Sequence, residues 1–160
     1  MQIEKYETES TVDGLIYTFE SVGDKVIQKI VVYSKIENPK TVGLKENTIV
    51  FNLAFGDWDL ETDELNDQVE SKNKDTEKVL ATVANTIFEF WEEYPDANIF
   101  FRGSQPFGEK ARRTRLYQMK INRYFADIIT IVNIKGYEND NWELFLENKN
   151  YLAFLISQKN

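Results

Sequence analysis

The chain has 160 residues, a formal net charge of −8, and neither cysteine nor histidine. These absences exclude disulfides, zinc–thiolate sites, cysteine nucleophiles, Ser-His-Asp triads and histidine-ligated metals. The negative charge disfavours general binding to nucleic acid or to an anionic membrane, because repulsion opposes the encounter. The length and the 42% hydrophobic content favour a single domain over residues 1–160.

The start of the chain, MQIEKYETES, lacks the basic region and apolar core of a secretory signal. The longest apolar runs, such as Tyr151 to Ile156, are much shorter than a membrane span. We therefore expect a cytoplasmic protein that has no membrane partner.

The first half of the chain has the composition of β structure. Gly14 to Phe19 and Lys25 to Ile36 are rich in β-branched and aromatic residues, and the turn signal Val22-Gly23-Asp24 lies between them. This spacing predicts a hairpin. Thr48 to Phe55 is a further strand candidate, and antiparallel pairing is expected for strands so close in sequence.

An acidic stretch follows at Asp57 to Glu70, with seven acidic residues and no lysine or arginine. Its weak periodicity predicts a loop. Trp58 lies within it, and an exposed tryptophan in a polar loop often anchors a partner. The alternative is a tryptophan that packs against the core.

The same stretch raises the question of a metal. The alternating carboxylates resemble the first ligands of a calcium loop, but Thr62 and Gln68 replace the expected glycine and glutamate. An EF-hand is therefore disfavoured. A looser magnesium or calcium site formed by Asp57, Asp59 and Asp75 stays open, as does a solvated acidic loop without any cofactor.

Asp75 to Tyr94 has the periodicity of an amphipathic helix. Asp75 or Asn73 could cap its start, and Pro95 ends it. Two neighbouring apolar rows predict the face that meets the core: Val79, Val83, Ile87 and Trp91 in the first, and Leu80, Ala84 and Phe88 in the second.

The remaining elements are a short apolar strand, a second helix and a β-rich end. Asn98 to Arg102 is expected to pair in parallel with an earlier strand, because a long helix precedes it. Lys110 to Ala126 is the second helix. The predicted C-terminal elements are strands at Ile129 to Ile134, Trp142 to Leu146 and Tyr151 to Ser157, the last two paired with each other.

The predicted fold is therefore α+β, with a mostly antiparallel twisted sheet and two main helices. Its order is β-rich, helix, strand, helix, β-rich.

Three phrases carry a resemblance to a known group of proteins. They are Asn52-Leu53-Ala54-Phe55-Gly56-Asp57, then Ser71-x-Asn73-x-Asp75-x-x-x-Val79-Leu80-Ala81-Thr82-Val83, then Gly103-Ser104 followed by Arg113-Thr114-Arg115-Leu116-Tyr117. The chain resembles a family of uncharacterised proteins found mainly in Bacteroidetes-type bacteria. The resemblance implies a single bacterial domain and no particular activity.

The second helix opens with Arg112, Arg113 and Arg115. Cations in a first helical turn oppose the helix dipole, whereas helix N-termini and arginine side chains both favour an anion. These residues predict an anion site, for a phosphate above all. Its expected members are Arg102, Ser104, Arg112, Arg113, Thr114 and Arg115.

A structural alternative needs no ligand. Residues 109–125 contain six basic residues and one acidic residue, and the stretch 57–70 contains seven acidic ones. The two could pair within one chain or between two copies.

Two functions follow from these features. The first is a non-catalytic binding domain that meets a protein partner, or a second copy, by charge complementarity. The second is an enzyme that recognises a phosphate-containing ligand or nucleotide, with Asp57 or Asp75 holding a divalent ion. The residues complete no catalytic set, so we favour the first.

Overall fold

The computed structural model describes residues 4–59, 61–62, 64–66, 73–102, 119, 121–123 and 125–159. Over these residues the fold is mixed α/β and mostly β. The strands are β1 (Glu9–Ser10), β2 (Ile16–Val22), β3 (Val26–Lys35), β4 (Val50–Asp59), β5 (Glu64–Asn66), β6 (Asn98–Phe101), β7 (Val132–Glu138), β8 (Asn141–Leu144) and β9 (Ala153–Gln158).

The long helix α1 spans Thr76–Glu93, and a short 3-10 helix spans Pro39–Val42. Residues 119, 121–123 and 125–128 are also helical. They lie at the end of the predicted second helix and continue two residues past its predicted end at Ala126. The rest of that helix lies outside the described residues. No helix among those described is long and apolar enough to cross a membrane.

The chain divides into two compact units. The first unit is Met1–Tyr33 with Leu53–Pro95, and the second is Ser34–Asn52 with Asp96–Asn160. Both β3 and β4 contribute residues to each unit. The single domain over residues 1–160 stays a prediction.

The first unit contains the predicted N-terminal hairpin, and the structure confirms it. β2 pairs with β3 in antiparallel fashion from Ile16↔Val32 to Val22↔Val26, and β1 pairs with β2. Alternate residues of both strands turn towards the core, because successive side chains in a strand point to opposite faces. The buried apolar members are Tyr17, Phe19, Val31 and Tyr33.

The predicted core-facing side of helix α1 is confirmed in part and wrong in part. Val79, Val83 and Trp91 are buried as expected, but Ala84 and Phe88 are exposed. The buried face contains Thr82, Thr86 and Phe90 instead.

Burial of the two threonines is possible because backbone carbonyl oxygens of the same helix accept hydrogen bonds from their hydroxyl groups. The Thr82 hydroxyl donates to the Lys78 carbonyl at 2.7 Å, and the Thr86 hydroxyl donates to the Val83 carbonyl at 2.6 Å. The Tyr33 hydroxyl lies 2.8 Å from the Thr86 hydroxyl, and the Tyr33 ring stacks on Phe90.

The second unit has the strand order β4-β6-β9-β7-β8. β4 and β6 pair in parallel through Val50↔Asn98, Phe51↔Ile99 and Asn52↔Phe100, which confirms the predicted parallel pair. The predicted pairing of the last two strands is wrong. β9 lies between β6 and β7, and β8 pairs with β7.

Burial explains why β9 lies between β6 and β7. The run Ala153 to Ile156 is buried at every position, and a strand buried on both faces is stabilised in the interior of a sheet. The loop before β9 folds back over the sheet, where the Tyr151 ring lies against Gly136. A Cβ on Gly136 would come within 2.2 Å of that ring, so only glycine permits this approach.

Candidate functional site

The acidic stretch of the first unit forms a hairpin at its start. β4 continues through Gly56 to Asp59, and its last three residues pair with β5 as Asp57↔Asn66, Trp58↔Leu65 and Asp59↔Glu64. The predicted loop over residues 57–70 is therefore wrong for residues 57–59 and 64–66. The polar, acidic composition favours a loop, but the ladder hydrogen bonds and the strand that precedes these residues stabilise the hairpin instead. We call residues 57–66 the acidic hairpin.

The turn of the acidic hairpin is held by Asp59. Its Oδ1 accepts hydrogen bonds from the backbone N–H groups of Glu61, at 2.9 Å, and Thr62, at 3.4 Å. Aspartate commonly stabilises turns in this way. Asp59 and Glu61 are exposed, so the turn presents negative charge to solvent.

A buried ion pair fixes the base of the acidic hairpin. The Lys29 ammonium donates to Asp57 Oδ1, and the side chains are 7% and 20% exposed. A lysine so deeply buried needs an anionic partner, because an isolated ammonium would be very costly to desolvate. The pair joins β3 to β4 within the first unit.

Sequence reasoning did not single out Lys29, although a signal was present. Lys29 shares its strand face with Val31 and Tyr33, both of which are buried, and it pairs in register with Phe19. The two-residue period of a strand therefore places its charge on the core face. Such a position calls for a buried carboxylate elsewhere in the chain.

Asp75 lies at the N-cap position of α1 but does not cap the helix with its side chain. Its Oδ2 instead accepts hydrogen bonds from the Tyr6 hydroxyl, at 2.6 Å, and the Ser21 hydroxyl, at 2.5 Å. Burial, together with the hydrogen bond to Asp75, raises the pKa of Tyr6. Asp75 thus connects the N-terminal segment, β2 and the start of α1.

Asn73 connects the same region to the β2–β3 turn. Its side-chain amide donates to the Lys25 carbonyl at 2.8 Å and to the Ser21 hydroxyl at 3.0 Å, and its Oδ1 accepts from the Lys25 N–H. The turn lies so close that a Cβ on Gly23 would be 2.1 Å from the Asn73 carbonyl oxygen. Asn73 therefore acts as a clamp on the turn rather than as a helix cap.

The three aspartates predicted to bind a metal have different partners. Asp57 binds Lys29, Asp59 holds its own turn, and Asp75 binds Tyr6 and Ser21. Over the part of the chain that the structure describes, no three acidic side chains form a group that could hold a metal ion. A magnesium or calcium site at these residues stays a prediction.

The predicted anion site falls mostly outside the described residues. Only Arg102 is described, and it is exposed directly after β6. The others that lie outside are Ser104, Arg112, Arg113, Thr114 and Arg115. Trp58, the predicted partner anchor, is half-buried in β4 and opposite Leu65. Both interpretations stay predictions.

The second unit has its own cluster of charged groups at the loop before β9. The Lys149 ammonium binds the carboxylates of Glu138, at 2.8 Å, and Glu143, and the Tyr151 hydroxyl donates to Glu143 at 3.0 Å. The hydrogen bonds from Lys149 and Tyr151 lower the pKa of Glu143. The Tyr151 hydroxyl also accepts from the Leu146 N–H, so the cluster fastens this loop over the sheet.

Comparison with known proteins identifies a family to which the chain belongs. A family of unknown function, DUF6934, matches residues 2–159. No curated protein and no solved structure matches the chain. Because the family covers nearly the whole sequence, the chain belongs to DUF6934, a family of unknown function.

Proposed function

We propose that this protein is a non-catalytic binding domain and that its acidic hairpin docks a basic segment of a protein. One observation carries the proposal. The acidic stretch forms an ordered hairpin that exposes Asp59 and Glu61 at its turn and is fixed at its base by the Lys29–Asp57 pair.

An ordered hairpin suits this role better than a free loop. Its backbone is already fixed by the ladder and by the Asp59 turn, so binding costs less conformational entropy. The exposed carboxylates attract cationic side chains and disfavour acidic partners. The neighbouring Trp58 ring supplies apolar surface of the kind that anchors interfaces.

The chemistry of the partner follows from charge. The chain itself contains a suitable segment, residues 109–125, with six basic residues and one acidic residue. A second copy could supply that segment, and so could another protein with the same charge. Both sources present arginine and lysine to the same carboxylates.

A labelled peptide with the sequence of residues 109–125 tests the proposal. We expect saturable binding to the full chain, weakened about tenfold or more by added salt because exposed charges are screened. The Asp59→Asn/Glu61→Gln variant should bind much more weakly, while Glu37→Gln/Glu46→Gln, which removes the same charge from exposed positions in the second unit, should bind like wild type. Equal binding by the two variants would overturn the proposal.

The phosphate-recognising enzyme remains the alternative prediction from the sequence. It depends on Arg113 and Arg115, which lie outside the described residues. Thermal shifts with phosphate and nucleotides, with and without magnesium, distinguish it. A ligand at a hundred times its dissociation constant adds about 2.7 kcal/mol of stability, and the Arg113→Ala/Arg115→Ala variant should lose that gain.

A further inference from the structure

The segment of residues 4–8 lies against the first unit without regular secondary structure. Two hydrogen bonds hold it to α1: the Lys5 ammonium donates to Asn85 Oδ1 and the Tyr6 N–H donates to Thr82 Oγ1, both at 2.8 Å. β1 begins directly after it, at Glu9, and pairs with β2. The segment thus leads into a paired strand, and Lys5 and Tyr6 connect it to α1.

Tyr6 makes most of those contacts. Its hydroxyl donates to Asp75 Oδ2 at 2.6 Å and accepts from the Val22 N–H at 3.0 Å. Its ring stacks on Phe19, and the Lys78 ammonium lies 4.2 Å from the ring centroid. One half-buried side chain therefore joins the segment to β2 and to the first turns of α1.

Beneath Tyr6 lies a second set of hydrogen bonds that does not need it. The fully buried Ser21 bonds to Asp75 and receives a hydrogen bond from Asn73, which also bonds twice to Lys25. These bonds hold β2, its turn and the start of α1 together. Loss of the Tyr6 contacts would leave this inner set complete.

We propose that residues 4–8 form a releasable strap, latched by Tyr6, whose opening exposes the Asp75 carboxylate and the Thr82 hydroxyl while the first unit stays folded. The strap differs from the elements around it because side chains, rather than a strand ladder, hold it in place. Such segments open at lower free energy than the core. The strap controls access to the start of α1 and is independent of the acidic hairpin.

Native-state hydrogen exchange on the full chain tests the strap. The Tyr6 amide, which is bonded to Thr82, should exchange through a local opening, faster than the Tyr33 amide bonded to Leu15 and the Val79 amide bonded to Asp75. Tyr6→Phe should speed exchange at the residue-6 amide about tenfold, since a hydrogen bond to a charged acceptor is lost. The Tyr33 and Val79 amides should change far less.

Tyr94→Phe is the matched control, because the Tyr94 hydroxyl donates to the Asp13 carbonyl and not to the strap. It should leave the residue-6 amide at its wild-type rate. If Tyr6→Phe fails to fold, Lys78→Gln removes only the ammonium over the ring and should speed the same amide. Equal acceleration of the residue-6, Tyr33 and Val79 amides, or no acceleration of the residue-6 amide, would overturn the proposal.

Discussion

The ammonium group of Lys29 forms an ion pair with the carboxylate of Asp57 inside the first unit, although the two residues are 28 positions apart in the chain. The lysine side chain is 7% exposed and that of the aspartate is 20% exposed. Removing two charges from water is costly, and the attraction between the ammonium and the carboxylate offsets that cost for both. The pair therefore fixes the base of the acidic hairpin within the first unit.

Lys29→Met should destabilise the protein by about 3 kcal/mol, because it leaves the Asp57 carboxylate without its ammonium partner. Urea unfolding of wild type and variant measures the change. Lys29→Met/Asp57→Leu, which removes both charges, should recover much of the loss. The exposed pair of Lys74 and Asp24 provides the control, and Lys74→Met should change stability by less than about 1 kcal/mol.

Asn73→Ala should cost about 2 kcal/mol, because the clamp on the β2–β3 turn is lost and the Lys25 N–H and carbonyl lose their partner. Thermal or urea unfolding measures this. Asn141→Ala removes an exposed amide whose hydrogen bond, among the described residues, is a local one to the Asn139 carbonyl, and the variant should stay within about 0.5 kcal/mol of wild type. A similar loss for both variants would argue against the clamp.

Gly136→Ala should destabilise the second unit by about 1–3 kcal/mol, because the new methyl group would overlap the Tyr151 ring. Tyr151→Phe keeps that ring but loses the hydrogen bonds to Glu143 and Leu146, so it separates packing from polar effects. Urea denaturation measures the stability of both variants. Wild-type stability for Gly136→Ala would show that the ring does not rest on the glycine.

The raised pKa of Tyr17 leads us to expect a loss of stability at alkaline pH. Burial, with the charges of Glu89, Glu93 and Glu92 of α1 and of Tyr94 nearby, raises the pKa of Tyr17 from its ordinary value of 10.0 to about 12. A raised pKa in the folded state means that stability is complete below about pH 10 and declines as the pH rises towards about 12. The free energy of unfolding should therefore fall between about pH 10 and pH 12. For Tyr17→Phe the free energy of unfolding should fall less steeply with pH. An equal slope in wild type and variant would contradict the assignment of this loss to Tyr17.

The local parts of the fold could be predicted from sequence. The β2–β3 hairpin follows from the Gly23 turn between two β-branched runs, and α1 follows from its four-residue period. The parallel pair of β4 and β6 followed from the helix between them. Each depends on residues close in sequence or on one connection rule.

What escaped prediction depends on residues far apart in the chain. β9 lies between β6 and β7 because both of its faces are buried, and composition alone did not distinguish that position from a pair with β8. Asp57 and Asp75 were identified as carboxylates of interest, but their partners Lys29, Tyr6 and Ser21 come from other elements. The carboxylate spacing suggested a shared metal, which stays a prediction. In the described structure Asp57, Asp59 and Asp75 each make separate contacts.

Binding of a basic protein segment by the acidic hairpin can be followed residue by residue in an NMR titration. Unlabelled peptide 109–125 is added to the ¹⁵N-labelled full chain, with a peptide in which glutamine replaces every arginine and lysine as the control. We expect saturable shifts at the Trp58 indole and at the amides of Asp59, Glu61 and Thr62, with none from the control peptide. Saturable shifts elsewhere with an unchanged hairpin, or no saturable shifts at all, would contradict it.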